Sequence, residues 1–290
     1  MVATVKAVAC DSAGAHSRGL ARYTVRDIVA RVLEELSLDR LGISTVWEIL
    51  KRDAIKPWQF RSWIFPRDPE FAARAGVVLD LYGRTWGGLP LGERDFVLSG
   101  DEKPGILLRT RCHPTVLPRP GHPGRREFEY RRHGTGVLLA LLDIGHGQVF
   151  HETVRKNGID PFRQLIATTV AHERYRHAER LFFVVDNGGS HSRQRFQARL
   201  NEWFPRPESP EMIAVHLPKH ASWLNQIELF FSLVGRRALK GFECKDLPTM
   251  SAHLTRFIEV HNENPRPFKW RFTKEDLADR MKLWPDATAN

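Results

Sequence analysis

The chain has 290 residues, of which 42% are hydrophobic and 27% charged, so it can bury a core and lacks the composition of a disordered protein. No apolar run reaches membrane-spanning length, and the N-terminus lacks the hydrophobic centre and cleavage site of a signal peptide. The net charge of +10 favours a polyanionic partner such as nucleic acid. We therefore expect an intracellular protein, with Cys10, Cys112 and Cys244 reduced and unpaired.

The N-terminal part of the sequence predicts a small helical domain. Residues 1–22 are small and polar and predict a poorly ordered arm. Two helices follow, Val25–Leu36 with Thr24 as its N-cap and Ile43–Arg52, in which Thr45 and Glu48 have capping-box spacing. The outward positions of the second helix are Ser44, Thr45, Trp47, Lys51 and Arg52.

This helical pair has the outline of a helix-turn-helix DNA-binding domain, although plain helical hairpins share the same outline. A further helix is predicted at residues 68–84. Gly87, Gly88 and Pro90 then indicate a boundary. We therefore assign residues 23–90 to the helix-turn-helix domain and its linker.

Residues 91–290 alternate between strand and helix patterns, which predicts a mixed α/β domain. The predicted strands span residues 96–101, 106–111, 137–143, 148–152, 181–185 and 212–216, and Pro104 and Gly105 predict a turn between the first two. The predicted helices span residues 161–178, 192–203, 220–234 and 248–261.

A strongly basic segment lies within this second domain. Between residues 103 and 136 there are eight Lys or Arg residues against Glu127 and Glu129, an excess of six charges out of a total of ten. A segment of this kind can bind DNA phosphates, and an ordinary solvated basic loop is the alternative. The candidate phosphate-binding residues are Lys103, Arg109, Arg111, Arg125, Arg126, Arg131 and Arg132.

Three acidic residues are candidates for catalysis. Asp101 and Asp186 each end a predicted apolar strand, where ligands bind in open α/β sheets, and Asp186 can alternatively cap the Asn187–Gly188 turn. Glu228 borders a predicted buried helical stripe, so it needs a partner, and an ion pair with Arg236 or Arg237 is the alternative.

If these three carboxylates converge, their mutual repulsion requires divalent cations. Oxygen ligands select Mg²⁺ or Mn²⁺, and two such ions promote phosphodiester cleavage and transfer. The sequence thus favours nuclease or strand-transfer chemistry.

The blocks around these acids resemble the signature motifs of bacterial insertion-sequence transposases of the 630 type, in the mariner superfamily. The motifs are Asp101-Glu-Lys-Pro, Asp186-Asn-Gly-Gly-Ser-His and Pro218-Lys-His-Ala-Ser-Trp-Leu-Asn-Gln-Ile-Glu228. The resemblance covers residues 24–273 and implies a ribonuclease-H-like catalytic domain over residues 91–290. It implies that Asp101, Asp186 and Glu228 form a DDE triad that binds two Mg²⁺ or Mn²⁺ ions.

The resemblance also implies a function. Such an enzyme cleaves DNA at the terminal inverted repeats of its element and joins the freed 3′-hydroxyls to target DNA, acting as a homodimer when it pairs the ends. Its partners are DNA and not membranes, and its place is the bacterial cytoplasm, at the nucleoid when bound. The alternatives are an inactive DNA-binding remnant and a metal-dependent nuclease without strand transfer.

Several neighbouring residues are expected to support the triad. They are Asn187, His191 and Asn225, with Asn225 expected to support Glu228 or to contact the substrate. Trp223 is expected in the core, with base stacking as the alternative. Relatives of this type usually carry a second helix-turn-helix upstream, which is not recognised in residues 1–22.

Overall fold

The computed structural model describes residues 1–10, 23–52, 68–188 and 193–282, with the side chains of residues 193 and 194 excepted. The chain divides into two compact units, Met1–Ile64 and Phe65–Asn290. The boundary expected at residue 90 is therefore displaced, because the helix at Phe71–Tyr82 packs within the second unit.

The N-terminal unit contains three described helices, α1 (Val2–Cys10), α2 (Val25–Leu36) and α3 (Ile43–Arg52). Thr24 caps α2 through a capping box with Asp27, which confirms the predicted start of that helix. The expectation of a disordered arm is wrong for residues 2–10, because Val5 and Val8 are buried against α2 and α3. Residues 11–22 lie outside the described part of the chain.

The first turn of α3 differs from the prediction in one respect. The helix starts at Ile43, so Thr45 lies inside it and does not cap it. Glu48 instead forms an ion pair with Arg52 at 3.0 Å, one turn later on the exposed side of the helix.

The second unit combines helices with a mixed sheet. Its described helices are α4 (Phe71–Tyr82), α5 (Ile159–Val170), α6 (Arg193–Trp203), α7 (Ile227–Val234), α8 (Leu247–Glu263) and α9 (Lys274–Lys282). A short two-stranded ribbon is formed by β1 (Thr85–Trp86) and β2 (Leu89–Pro90). The main strands are β3 (Asp95–Arg111), β4 (Tyr130–Asp143), β5 (Val149–Val154), β6 (Arg180–Val185) and β7 (Glu211–His216).

The main sheet has the order β5-β4-β3-β6-β7. Strands β3, β6 and β7 run parallel to one another, whereas β4 is antiparallel to both of its neighbours. Two shorter strands were expected at residues 96–101 and 106–111, but β3 is continuous. Pro104 and Gly105, predicted to form a turn, lie instead at a register shift between Lys103 and Ile106, and β4 pairs on both sides of it.

Helices cover both faces of the sheet. One face packs against α5 and α6 around Phe162, Phe183 and Phe196. The other face packs against α7 and α8 around Leu138 and Phe230, and against α4 and α9 farther along the sheet. In the described part of the chain, no helix combines the length and apolarity that a membrane span requires.

Strand β7 lies at one edge of the sheet, and a side chain of α6 covers part of its backbone. The Gln197 amide donates through Nε2 to the carbonyl of Met212 at 2.7 Å and accepts through Oε1 from the Ala214 amide at 2.7 Å. One glutamine side chain thus satisfies two backbone groups that a further strand would otherwise pair with.

Candidate active site

Asp101 lies on β3, directly after the last residue that pairs with β6. The parallel register ends at Gly100 and Val185, whereas the antiparallel pairing with β4 continues through Asp101 and Ala140. The expectation of a strand end at Asp101 is therefore corrected, because only the parallel pairing stops there. Asp101 is 7% exposed and accepts a hydrogen bond at Oδ1 from the Glu102 amide, at 2.8 Å.

Asp186 follows directly after β6, beside Asp101 in the order of the strands. Its Oδ1 atom accepts a hydrogen bond from the Gly188 amide at 2.7 Å, so the turn-capping interaction considered from the sequence is present. Asn187 donates through Nδ2 to the carbonyl of Leu217 at 2.7 Å, which ties this turn to the end of β7. Asn187 therefore supports the turn that carries Asp186.

Burial and nearby negative charges both act on the pKa of Asp101. Burial is the main cause that raises the pKa of Asp101, to about 7, and the negative charge of Asp186 is the next largest. The charges of Glu102 and Glu228 raise this pKa further, while the Glu102 amide opposes the shift. The pKa of Asp101 thus responds to the charges of Asp186, Glu102 and Glu228.

The predicted stripe of Ile227, Phe230, Phe231 and Val234 is buried, but Glu228 beside it is exposed, so the expectation that burial forces Glu228 to find a partner is wrong. The predicted helix at 220–234 is broken into a 3-10 turn at Ser222–Leu224, an extended Asn225, and α7, which begins at Ile227. This break leaves Glu228 on the outer side of the first turn of α7, where the helix dipole stabilises a negative charge. Within the described residues, Glu228 forms no ion pair with Arg236 or Arg237.

The buried polar residues of this segment are Asn225 and Gln226. Asn225 donates through Nδ2 to Asp101 Oδ2 at 3.0 Å, and its Oδ1 accepts from the Ser99 hydroxyl at 2.5 Å. Asn225 therefore contacts Asp101 and not Glu228, so its support of the predicted triad runs through Asp101. Ser99 was not foreseen, because a serine inside an apolar strand pattern gives no sign of which helix will cover it.

The donor set fits a hard divalent cation. Asp101 is a buried carboxylate next to two further acids, and a bound cation would offset both the burial and the repulsion. In the conformation of the described residues, no three His, Cys, Asp or Glu side chains stand close enough to bind one ion together. Glu228 is exposed, so a rotamer change is open to it without disturbing the core.

Of the seven predicted phosphate-binding residues, Arg111 is bound within the protein and the other six are exposed or partly exposed. Arg111 is largely buried and bound to the protein itself, through Nε to Glu243 Oε1 at 3.0 Å and through Nη1 to the Phe128 carbonyl at 2.8 Å. Arg109 packs over the ring of Tyr130. The exposed candidates are Arg125, Arg126, Arg131 and Arg132, and Lys103 and Arg109 are partly exposed.

The remaining candidates are placed as follows. On α3, the five outward residues Ser44, Thr45, Trp47, Lys51 and Arg52 are all exposed, and the Lys51 ammonium lies over the Trp47 ring. His191 lies outside the described part of the chain. Trp223 was expected in the core but is 48% exposed, with its ring edge-on to Phe272.

Comparisons with known proteins agree with this geometry. Residues 97–251, more than half of the chain, match the family model described as DDE superfamily endonuclease. The chain is similar to the Mos1 mariner paired-end complex with Mn, at 16% identity and a TM-score of 0.51, over 84% of this chain and 74% of that one. It is also similar to the Mos1 strand transfer complex, at 16% identity and a TM-score of 0.50, over 92% of this chain and 78% of that one.

At this identity, the structural likeness establishes a shared fold alone. The mixed five-stranded sheet flanked by helices confirms the expected ribonuclease-H-like class. A search of curated proteins gave no significant match. The match over residues 97–251 contains Asp101, Asp186 and Glu228, and the chain belongs to the DDE superfamily endonuclease family.

Proposed function

We propose that this protein is a DNA transposase. It cleaves DNA at terminal inverted repeats and joins the 3′-hydroxyl ends to target DNA, with Asp101, Asp186 and Glu228 as its catalytic, metal-binding residues. The observation that carries the proposal is the effect of the Asp186 and Glu228 charges on the pKa of the buried Asp101, within the family's domain. Such repulsion is tolerated at a functional site that binds a cation.

The three carboxylates would hold Mg²⁺ or Mn²⁺, and we propose two ions. Bound there, the ions would supply the activation of a water or hydroxyl and the stabilisation of the leaving oxygen. The chain's own contribution is to fix Asp101, through the Glu102 amide and Asn225, and to fix the turn of Asp186, through Gly188 and Asn187. The exposed Glu228 side chain completes the set from the first turn of α7.

DNA is the proposed partner, as element ends and as target. The similar structures are described as paired-end and strand transfer complexes of Mos1, and this chain carries a net charge of +10. Phosphates would be bound by Lys103, Arg109, Arg125, Arg126, Arg131 and Arg132, whereas the outer face of α3 would contact the inverted repeat. We further propose a homodimer when two ends are paired.

Two other functions remain for the experiment to separate. A DNA-binding remnant would bind without cleaving, and the presence of all three acids argues against it. A nuclease without strand transfer would cleave but leave the 3′-hydroxyl ends unjoined.

The test uses duplex DNA carrying the inverted repeats that flank this reading frame, with Mg²⁺ or Mn²⁺. Asp186→Asn and Glu228→Gln should lower cleavage by about a hundredfold or more, because each removes a metal-binding oxygen. Both should bind the DNA as the wild type does in a gel shift. Glu208→Gln, an exposed acid on the loop before β7, is the matched control and should cleave normally.

Equal cleavage by the wild type and both active-site variants would refute the assignment. Joined products, detected by including a target plasmid, separate a transposase from a nuclease. Absence of cleavage by the wild type at every metal tested would support the remnant.

A further inference from the structure

A buried chain of hydrogen bonds connects Asp101 to the helix that carries Glu228. The Ile227 amide donates to Ser99 Oγ at 2.9 Å, and Ser99 Oγ donates to Asn225 Oδ1 at 2.5 Å. Asn225 Nδ2 then donates to Asp101 Oδ2 at 3.0 Å and to the Gly100 carbonyl at 3.3 Å. Ser99 and Asn225 are both almost fully buried.

The directions of these hydrogen bonds fix the orientation of the Asn225 amide. A hydroxyl has one proton, and a backbone amide can only donate. Ser99 Oγ must therefore accept from Ile227 and give its own proton to Asn225 Oδ1. That leaves the two protons of Nδ2 for Asp101 and Gly100, so the side chain of Asn225 has one satisfied arrangement.

The same chain also completes the start of α7. The first amides of a helix have no partner within the helix, and Ser99 supplies one for Ile227. Ile227 directly precedes Glu228, so one serine on β3 is bonded both to the first turn that carries Glu228 and to the amide that contacts Asp101. These hydrogen bonds thereby fix the position of the start of α7 relative to β3.

We infer that Ser99 and Asn225 form a positioning pair, which holds the Asp101 carboxylate at a fixed place relative to the first turn of α7. Both residues are almost fully buried, and both act through Asp101 and Ile227. This inference rests on the proposed function, because it assigns the pair to the metal-binding acids. A neutral amide suits the role, since a carboxylate at position 225 would add a charge and remove the donor to Asp101.

The test compares purified full-length variants by thermal unfolding, Mn²⁺ binding by calorimetry, DNA affinity and single-turnover cleavage at saturating DNA. Asn225→Leu keeps the approximate volume but removes both polar groups. It should weaken Mn²⁺ binding and slow cleavage by about tenfold to a hundredfold, with DNA affinity unchanged. Ser99→Ala should also weaken Mn²⁺ binding and slow cleavage, each by about tenfold, since the amide of Asn225 loses its orientation.

Two further variants separate positioning from general stability. Ser99→Ala combined with Asn225→Leu should be slower than Asn225→Leu alone by clearly less than the factor that Ser99→Ala costs by itself, because Ser99 acts partly through Asn225 and partly through the Ile227 amide. Thr169→Val removes another buried hydroxyl, which donates to the Leu165 carbonyl within α5. It should leave Mn²⁺ binding and cleavage unchanged even if it lowers the unfolding temperature.

Folded Ser99→Ala and Asn225→Leu proteins that bind Mn²⁺ and cleave like the wild type would overturn the inference. Should Asn225→Leu fail to fold, Ser99→Ala alone decides. Asp101→Asn is measured in parallel: if it cleaves normally, the proposed function fails. If Asp101→Asn is inactive while both positioning variants are normal, only the inference fails.

Discussion

Asp101, on β3, and Asp186, directly after β6, each lie one residue beyond Gly100 and Val185, the last registered pair of these two neighbouring parallel strands. Burial, and after it the charge of Asp186, raises the pKa of Asp101 to about 7. A carboxylate in this position is a source of instability at neutral pH as long as no cation offsets it.

The raised pKa predicts how stability depends on pH in the absence of divalent ions. Between about pH 4 and about pH 7 the folded protein keeps a proton on Asp101 that the unfolded chain has lost. The free energy of unfolding should therefore fall as the pH rises, with Asp101 contributing about 3 kcal/mol between about pH 5 and about pH 7.5. Urea unfolding of the wild type and of Asp101→Asn measures this contribution, including its coupling to the charge of Asp186.

In Asp101→Asn the free energy of unfolding should no longer show this fall with rising pH. In the wild type, saturating Mg²⁺ should make the fall smaller. Parallel pH curves for the two metal-free proteins would contradict the prediction. A Mg²⁺ effect of equal size in Asp101→Asn would show that the ion acts elsewhere.

The contribution of Asp95 to the free energy of unfolding is predicted to rise with pH, whereas that of Asp101 falls. Arg180 donates to both of its oxygens, from Nε at 2.8 Å and from Nη2 at 2.5 Å, and these hydrogen bonds hold the pKa of Asp95 below its usual value. The stabilisation is present above the unfolded pKa of about 3.9 and is lost as the pH falls through the lower folded value. Asp95→Asn should cost about 2 kcal/mol at neutral pH, because Arg180 loses its counter-charge.

The measurement is urea unfolding of Asp95→Asn and the wild type from neutral pH down to about pH 3. The difference in the free energy of unfolding between the two proteins should become smaller below about pH 4. A difference that stays constant over this range would mean that the ion pair adds nothing beyond neutral hydrogen bonds.

Arg111 and Arg125 are predicted to behave differently although they belong to the same basic segment. Arg111 and Glu243 are 13% and 25% exposed, and this ion pair joins β3 to the segment before α8. Arg111→Gln should lower the free energy of unfolding by about 2 kcal/mol. Arg125→Gln should change it by less than about 0.5 kcal/mol, because Arg125 is exposed.

DNA binding should show the reverse pattern. Arg125→Gln should reduce by about 1 the slope of log affinity against log salt, as expected when one phosphate contact is lost. Arg111→Gln, measured at a temperature where it is fully folded, should keep the wild-type slope. A reduced slope in Arg111→Gln would place its guanidinium at the DNA.

Much of the fold follows from local patterns in the sequence. The continuous apolar run of β6 and the capped, amphipathic α2 were predicted nearly to the residue, because a buried parallel strand and a helix N-cap are local signals. The sequence predicts two strands in place of β3, because Pro104 and Gly105 indicate a turn. The continuity of β3 depends on β4, which lies some 30 residues away in sequence, as the register shows.

The acidic residues of the candidate site can be predicted from the sequence, but the hydrogen bonds that hold them cannot. Asp101 and Asp186 follow apolar runs, which is visible in the sequence. The exposure of Glu228 depends on the break at Asn225, and that break is held by Ser99, 126 positions away. Helical periodicity carries no information about a hydrogen bond between distant segments, so the helix was predicted to run through it.

The covered edge of β7 bears on how this protein can be handled. An open parallel edge accepts a strand from any neighbouring chain, and that is a common start of aggregation during concentration or heating. Gln197 of α6 is hydrogen-bonded to the backbone of Met212 and Ala214, so the middle of this edge is not available to a further strand. A change at position 197 made for other reasons would reopen a template for intermolecular pairing, with no defect to be seen in the active site.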